Sequence, residues 1–252
     1  MAADGKSAFD LSVQAEVTEI VAKAAQERSE QEGPSRYTPV GVQTPEERAA
    51  AGKECRSQKP RESLGEYTLR TNTELALDLL HGQEVDRVQS LLPLRHERML
   101  VSPFTFYRGS AIIMAHDLGQ QVDTGLNVQL CGDAHMLNFG IFAAPDRSTV
   151  FDINDFDETH PGPFEWDLHR LFASLVLGGE DRGLDSKEIR TAVMNAASQY
   201  IRSIKMYSEM SELDIWYSRT TVSALLQYAQ SHHQPALEKA LSATIQESQK
   251  KD

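Results

Sequence analysis

VQLCGDAHMLN, residues 128–138, is the stretch from which the rest of the chain is read. Leu126, Val128 and Leu130 alternate with polar positions, which predicts a strand delivering Cys131-Gly132-Asp133 at its end. The turn that follows sets a carboxylate (Asp133), an imidazole (His135) and a carboxamide (Asn138) within six residues. Two further clusters come next: FDINDFDE (151–158), then FEWDL (164–168). In the first of these, Asp152, Asp155 and Asp157 sit among Phe151, Ile153 and Phe156. Gathering carboxylates beside apolar residues is costly unless something neutralises them, and a divalent cation does so. Hard oxygen ligands from one or two carboxylates and an amide carbonyl suit magnesium, which completes its shell with water and substrate phosphates. Singly, each cluster is ordinary: Gly-Asp-x-His arises by chance and an Asp-rich turn is usually a solvated loop. Their order and spacing carry the argument.

Outward from this segment, STVFDIND (148–155) predicts a second strand, and FGIFAAPDRS (139–148) a hairpin-like connection. Residues 72–100 read as two short helices, the second ending at a Pro93 turn, and Ala111 to Leu118 as another. After Pro163 the pattern turns helical. Trp166, Leu168, Leu171, Phe172, Leu175 and Val176 share helical spacing up to Gly178-Gly179, where a stop is expected. Asp185 and Glu188 form a capping-box start for a long helix through Tyr207, with two more near 221–231 and 235–248. Residues 1–62 are polar and punctuated by Gly33-Pro34, Pro39, Pro45 and Pro60. They read as a flexible N-terminal arm with one short helix from Leu11 to about Glu30, the remainder being extended. The expected class is α+β, predominantly helical, with a small β-hairpin at the polar segment.

At 252 residues, 40% hydrophobic and 25% charged, the chain can bury a core without staples. A net charge of −12 argues against a nucleic-acid surface or an anionic membrane as partner, though a locally positive pocket remains compatible with it. Cys55 and Cys131 are too few and too far apart for a disulfide framework, which points to a reduced, cytoplasmic protein. The N-terminus lacks the basic start and apolar run of a signal peptide, and no stretch approaches the ~20 apolar residues of a membrane span.

Protein kinases carry a catalytic loop His-Arg-Asp-x-x-x-x-Asn, and Asp133 and Asn138 keep its Asp-to-Asn offset. Aminoglycoside and choline kinase-like enzymes use His-Gly-Asp-x-His-x-x-Asn; residues 131–138 resemble this, with Cys131 in place of the first His. Asp155-Phe156-Asp157 is similar to their magnesium-binding segment, and Trp166-Asp167-Leu168 to a helix start whose Asp braces the loop backbone. Residues 91–111 and 128–171 resemble a bacterial family named by its domain of unknown function, DUF2252, over about residues 60–210. The resemblance implies a kinase-like, C-lobe-like domain over residues 63–252, using ATP and magnesium. Asp133 would orient or deprotonate an acceptor hydroxyl, on a small molecule or a protein. Asn138 and Asp155 would hold the metal, with Asp152 the alternative ligand and Asp157 assisting, and His135 would support them from behind.

Arg108 could bind phosphate through its fork of donors, or pair with one of the carboxylates. Arg95, His96 and Arg98 read as a solvated helix face. A Gly-rich loop and a strand lysine, which ATP handling normally needs, are not found. In the family, Val-Gly-Ser-Val-Gly and Gln-x-Lys-Glu-Ala segments lie downstream, so the domain is expected to be incomplete at its C-terminal end. Two rival functions stay open: a kinase-like scaffold or binding module without catalysis, and a metal-dependent hydrolase with His135 as a transition-metal ligand.

Overall fold

The computed structural model describes residues 44–68 and 70–248. The chain divides into two compact units, residues 1–50 and 51–252; the helix expected over 11–30 lies outside the described residues. Helix α1 (Pro45–Gln58) buries no residue, yet it is helical where an extended linker was expected. Local chemistry accounts for it. The Glu47 amide donates to Thr44 Oγ1 (3.2 Å) and the Thr44 amide to Glu47 Oε2 (2.8 Å), while Glu46 and Arg56 sit at the ends that favour their charges.

The second unit is mostly helical, with two small antiparallel sheets. Strand β1 (Asn127–Leu130) pairs with β4 (His160–Pro163), Leu130 opposite His160; β2 (Phe139–Ala143) pairs with β3 (Thr149–Ile153), Phe139 opposite Ile153. Strand β3 lies where it was anticipated, whereas β2 forms inside the segment read as a connection, and β3 pairs with it rather than with β1; the hairpin follows directly on the polar turn. Strand β4 was not anticipated, because HPGP has two prolines and no alternation; a two-stranded sheet is all edge, where proline is tolerated.

Helices α2 (Glu74–Glu84), α3 (Leu92–Met99), α4 (Pro103–Arg108) and α5 (Ala111–Gly119) precede β1. Pro93 starts α3 rather than ending a helix: at the first turn its missing N–H would have no partner anyway, and its φ suits the helix. Helix α4, also unanticipated, is set by a capping box between Ser102 and Thr105. Leu80, Met99 and Ile113 bring α2, α3 and α5 together in one apolar cluster.

Helix α6 (Glu165–Asp181) follows β4, then α7 (Ser186–Ser208), α8 (Glu212–Tyr217), α9 (Val222–Ser231) and α10 (Pro235–Ser248). Asp185 caps α7 as expected, accepting from the Lys187 and Glu188 amides, both at 2.8 Å. Gly178 and Gly179 do not end α6. They are buried inside it, because a Cβ on Gly178 would press on Met136 and one on Gly179 on Ile189 of α7. The turn after the helix is made by Gly183, at φ +72°. A second apolar cluster, Val222, Ala229 and Leu241, packs α9 on α10 with Ile141 of β2 against it. Among the described residues no helix is long and apolar enough to cross a membrane.

Candidate active site

β1 runs out at Cys131, and the polar turn 131–138 hangs from one face of α6. The Asp167 carboxylate accepts the Cys131 amide (2.7 Å) and the Gly132 amide (3.0 Å). One turn on, Arg170 donates from Nε (2.8 Å) and Nη2 (2.7 Å) to Asp133 Oδ1. One turn further, Ser174 Oγ accepts the Met136 amide (2.9 Å), and Gly178 gives the Met136 side chain room. Positions 167, 170, 174 and 178 fall on one helical face. A stripe that would ordinarily be apolar is polar here: Asp167, Arg170 and Ser174 each bond to the turn, while Arg170 Nη1 is buried with no hydrogen-bond partner among the described residues.

Gly132 needs to be glycine: its φ is +83°, and a Cβ would collide with the Glu158 carbonyl oxygen. This close approach brings the acidic segment after β3 against the turn. The Asn154 amide donates to the Asn138 carbonyl (3.0 Å), continuing the β2–β3 ladder by one rung and placing Asp155 just beyond it. Cys131 Sγ lies 3.8 Å from the Asp155 carbonyl as a weak donor.

Asn138, itself buried, donates from Nδ2 to the Asp133 carbonyl (2.7 Å). Its Oδ1 accepts no hydrogen bond among the described residues. His135 is buried as well; its Nδ1 accepts the Leu137 amide (3.2 Å), so the ring proton belongs on Nε2, which lies 3.7 Å from Asp133 Oδ2. Burial depresses the His135 pKa, and the Arg108 and Arg170 charges add to this against the pull of Asp133. The ring is neutral at pH 7. Burial raises the Asp167 pKa in spite of its two amide donors.

Asp133, His135, Asn138, Asp155, Asp157 and Arg108 all line one cleft of about 730 Å³. Asp152 does not: it sits opposite Gly140 in the hairpin, its Oδ1 turned to the Ile153 amide (2.8 Å). Among the described residues no three His, Cys, Asp or Glu side chains are placed to hold a metal ion together. A metal here would therefore depend on the Asn138 carbonyl oxygen, one or two of the acidic side chains and ligand oxygens, a donor set that fits a hard cation such as magnesium.

Arg170 was missed by sequence reasoning, although it is 2% exposed and holds the central carboxylate. Its guanidinium stacks 3.9 Å over the Tyr107 ring and donates to the Tyr107 carbonyl (2.6 Å), and the Tyr107 hydroxyl donates back to the Arg170 carbonyl (3.0 Å). The signal was its place three residues after Asp167 on the same helix. Arg98 is exposed as expected while lining the cleft; Arg95 is half-buried in it, and His96 pairs with Glu84 at 2.5 Å.

A family described as "Uncharacterized protein conserved in bacteria (DUF2252)" matches residues 87–252, which include every residue of this site. No curated protein and no solved structure matches the chain.

Proposed function

We propose, from the premise that the chain belongs to the DUF2252 family, that it is a magnesium- and ATP-dependent phosphotransferase with a kinase-like site, acting on a hydroxyl acceptor. One observation carries the reading. Asn138 spends its amide nitrogen on the Asp133 backbone carbonyl, keeping its carboxamide oxygen for a cation in the cleft that Asp133 and Asp155 share. The order of the motifs, resembling the kinase catalytic loop and the metal-binding segment after it, agrees.

Bound magnesium would neutralise the donor's phosphates, held by Asn138 Oδ1 and Asp155 with Asp157 beside them. The rest belongs to the chain's own groups. Arg170 fixes Asp133 through Oδ1 and leaves Oδ2 to accept the acceptor's hydroxyl. Asp133 orients that oxygen and takes its proton as the oxygen bonds to the γ-phosphorus of ATP, while the bond from that phosphorus to the β,γ-bridging oxygen breaks and ADP leaves. His135 is a positioning residue, its neutral Nε2–H facing Asp133 Oδ2.

The test uses Asp133→Asn, because alanine would leave the buried Arg170 guanidinium unpaired, at about 3–5 kcal/mol. ATP consumption should fall by roughly 10²–10⁴-fold, while thermal stabilisation by magnesium with ATP persists. Unchanged consumption, or no stabilisation of the wild-type protein, sinks the reading. Stabilisation without consumption in the wild type would mean a binding module.

A further inference from the structure

The phosphotransferase reading uses one wall of the cleft. The other is basic. Arg87, Arg95, Arg98 and Arg108 all line it. Arg95 and Arg98 lie one turn apart on α3, Arg87 lies outside the helices in the connection between α2 and α3, and Arg108 ends α4. Four guanidinium groups around one cavity repel one another, and each desolvated N–H that lacks a partner adds a cost. Among the described residues Arg95 is tied down by one bond, Nη2 to the Gly109 carbonyl (2.6 Å), yet its Nε is buried with no partner, and so is that of Arg87. Burial and the Arg87 charge both depress the Arg95 pKa. Among the described residues, Arg87, Arg98 and Arg108 make no ion pair.

The acidic wall makes no ion pair with them among the described residues, although the Glu158 and Asp133 charges pull the Arg95 pKa upward against burial and Arg87. Asp133 is paired to Arg170, which reaches it from α6; among the described residues the Glu158 carboxylate accepts only from Gln83 (3.2 Å), and the Asp155 carboxylate only the Asp157 amide (3.2 Å). Two walls of opposite sign face one cavity without closing on each other. A ligand with its own negative groups satisfies the basic wall, and guanidinium forks match phosphate oxygens bidentately.

We propose that Arg87, Arg95, Arg98 and Arg108 form a binding site for the phosphate groups of a small phosphorylated ligand. The site deepens the phosphotransferase reading, resting on it for the ligand's role in a reaction and not for the binding itself. The phosphate has two sources, the polyphosphate tail of a nucleotide or a phosphate ester on the acceptor.

The test is isothermal titration of the full chain with pyrophosphate, ATP, adenosine and a sugar phosphate, each at two salt concentrations. The variants are Arg98→Gln, Arg87→Gln, the conservative Arg98→Lys, and Arg190→Gln on the exposed side of α7 as control. Arg95 is left alone because its bond to Gly109 is structural. The expected result is salt-sensitive binding of pyrophosphate and no binding of adenosine. Either glutamine variant should weaken pyrophosphate at least tenfold, Arg98→Lys by less, and Arg190→Gln not at all. ATP following pyrophosphate through the variants assigns the nucleotide tail; sugar phosphate following it assigns the acceptor. Pyrophosphate, ATP and sugar phosphate all failing to bind, or binding equally in the glutamine variants at unchanged melting temperature, overturns the proposal. Its failure is separable from that of the phosphotransferase reading: Asp133→Asn should bind pyrophosphate like wild type, whatever becomes of turnover.

Discussion

Cys131 stands where the kinase-like enzymes that the motif resembles place a histidine, and its surroundings remove most of a thiol's chemistry. The residue is 5% exposed. Burial, then the neighbouring Asp167 carboxylate, push its pKa up to about 11. A thiol reacts as its thiolate, so below that pKa the rate of Cys131 should climb about tenfold per pH unit. Iodoacetamide at pH 8 should modify Cys55, which is partly exposed, and spare Cys131. Mass spectrometry of the peptides checks this, and equal labelling of the two would contradict it. At the same scale, the Asp133-to-Asn138 offset was legible in the sequence because both ends of the Asn138-to-Asp133 bond lie in one turn. Arg170 was not, because its partner lies 37 residues earlier and its local mark is only its place three residues after Asp167 on α6.

The element that organises the site is α6. Its buried face carries Glu165, Arg170 and Ser174 among the glycines, which would be poor packing for any purpose except holding backbone. Glu165 shows the same habit at the helix start, accepting the amide (2.7 Å) and hydroxyl (2.8 Å) of Thr124 ahead of β1. Ser174 is fully buried; its hydroxyl donates to the Leu171 carbonyl (2.6 Å) and accepts the Met136 amide. Ser174→Ala leaves that amide without a partner and should cost about 1–3 kcal/mol, read from urea denaturation midpoints at unchanged slope. A loss under ~0.5 kcal/mol would mean that the turn does not depend on this bond. Apolar spacing made α6 visible in the sequence, and alternation revealed β1 and β3. The same patterns hid the polar stripe, since periodicity reports only the apolar face. They also misplaced the helix end, because glycine serves close packing as readily as termination.

At the scale of the whole molecule, a net charge of −12 coexists with four arginines on one cleft wall. Composition averages over the surface and cannot report such a segregation, although the residues were within reach: Leu91, Leu94, Arg95, Arg98 and Met99 recur at helical spacing and all face the cleft. Which side of that stripe met solvent was decided by packing among α2, α3 and α5, through contacts distant in sequence.

The hanging of the turn from α6 also governs how the cleft can move. Backbone groups at Cys131, Gly132 and Met136 are released only when the helix beneath them opens, so the turn inherits the opening free energy of α6. On the arginine side His96 pairs with Glu84 and Arg95 bonds the Gly109 carbonyl, but among the described residues the Arg87, Arg98 and Arg108 side chains make no ion pair. The cleft therefore has a stiff jaw and a compliant one, and adjustment to a ligand falls to the compliant side. Amide hydrogen exchange should show those three amides exchanging with the interior of α6, hours slower than an exposed loop, and a phosphate ligand should slow α3 while leaving them unchanged. Fast exchange at Cys131 and Gly132 in the free protein would reverse the assignment. If it holds, selectivity among ligands is written in the jaw that moves, and the chemistry in the one that does not.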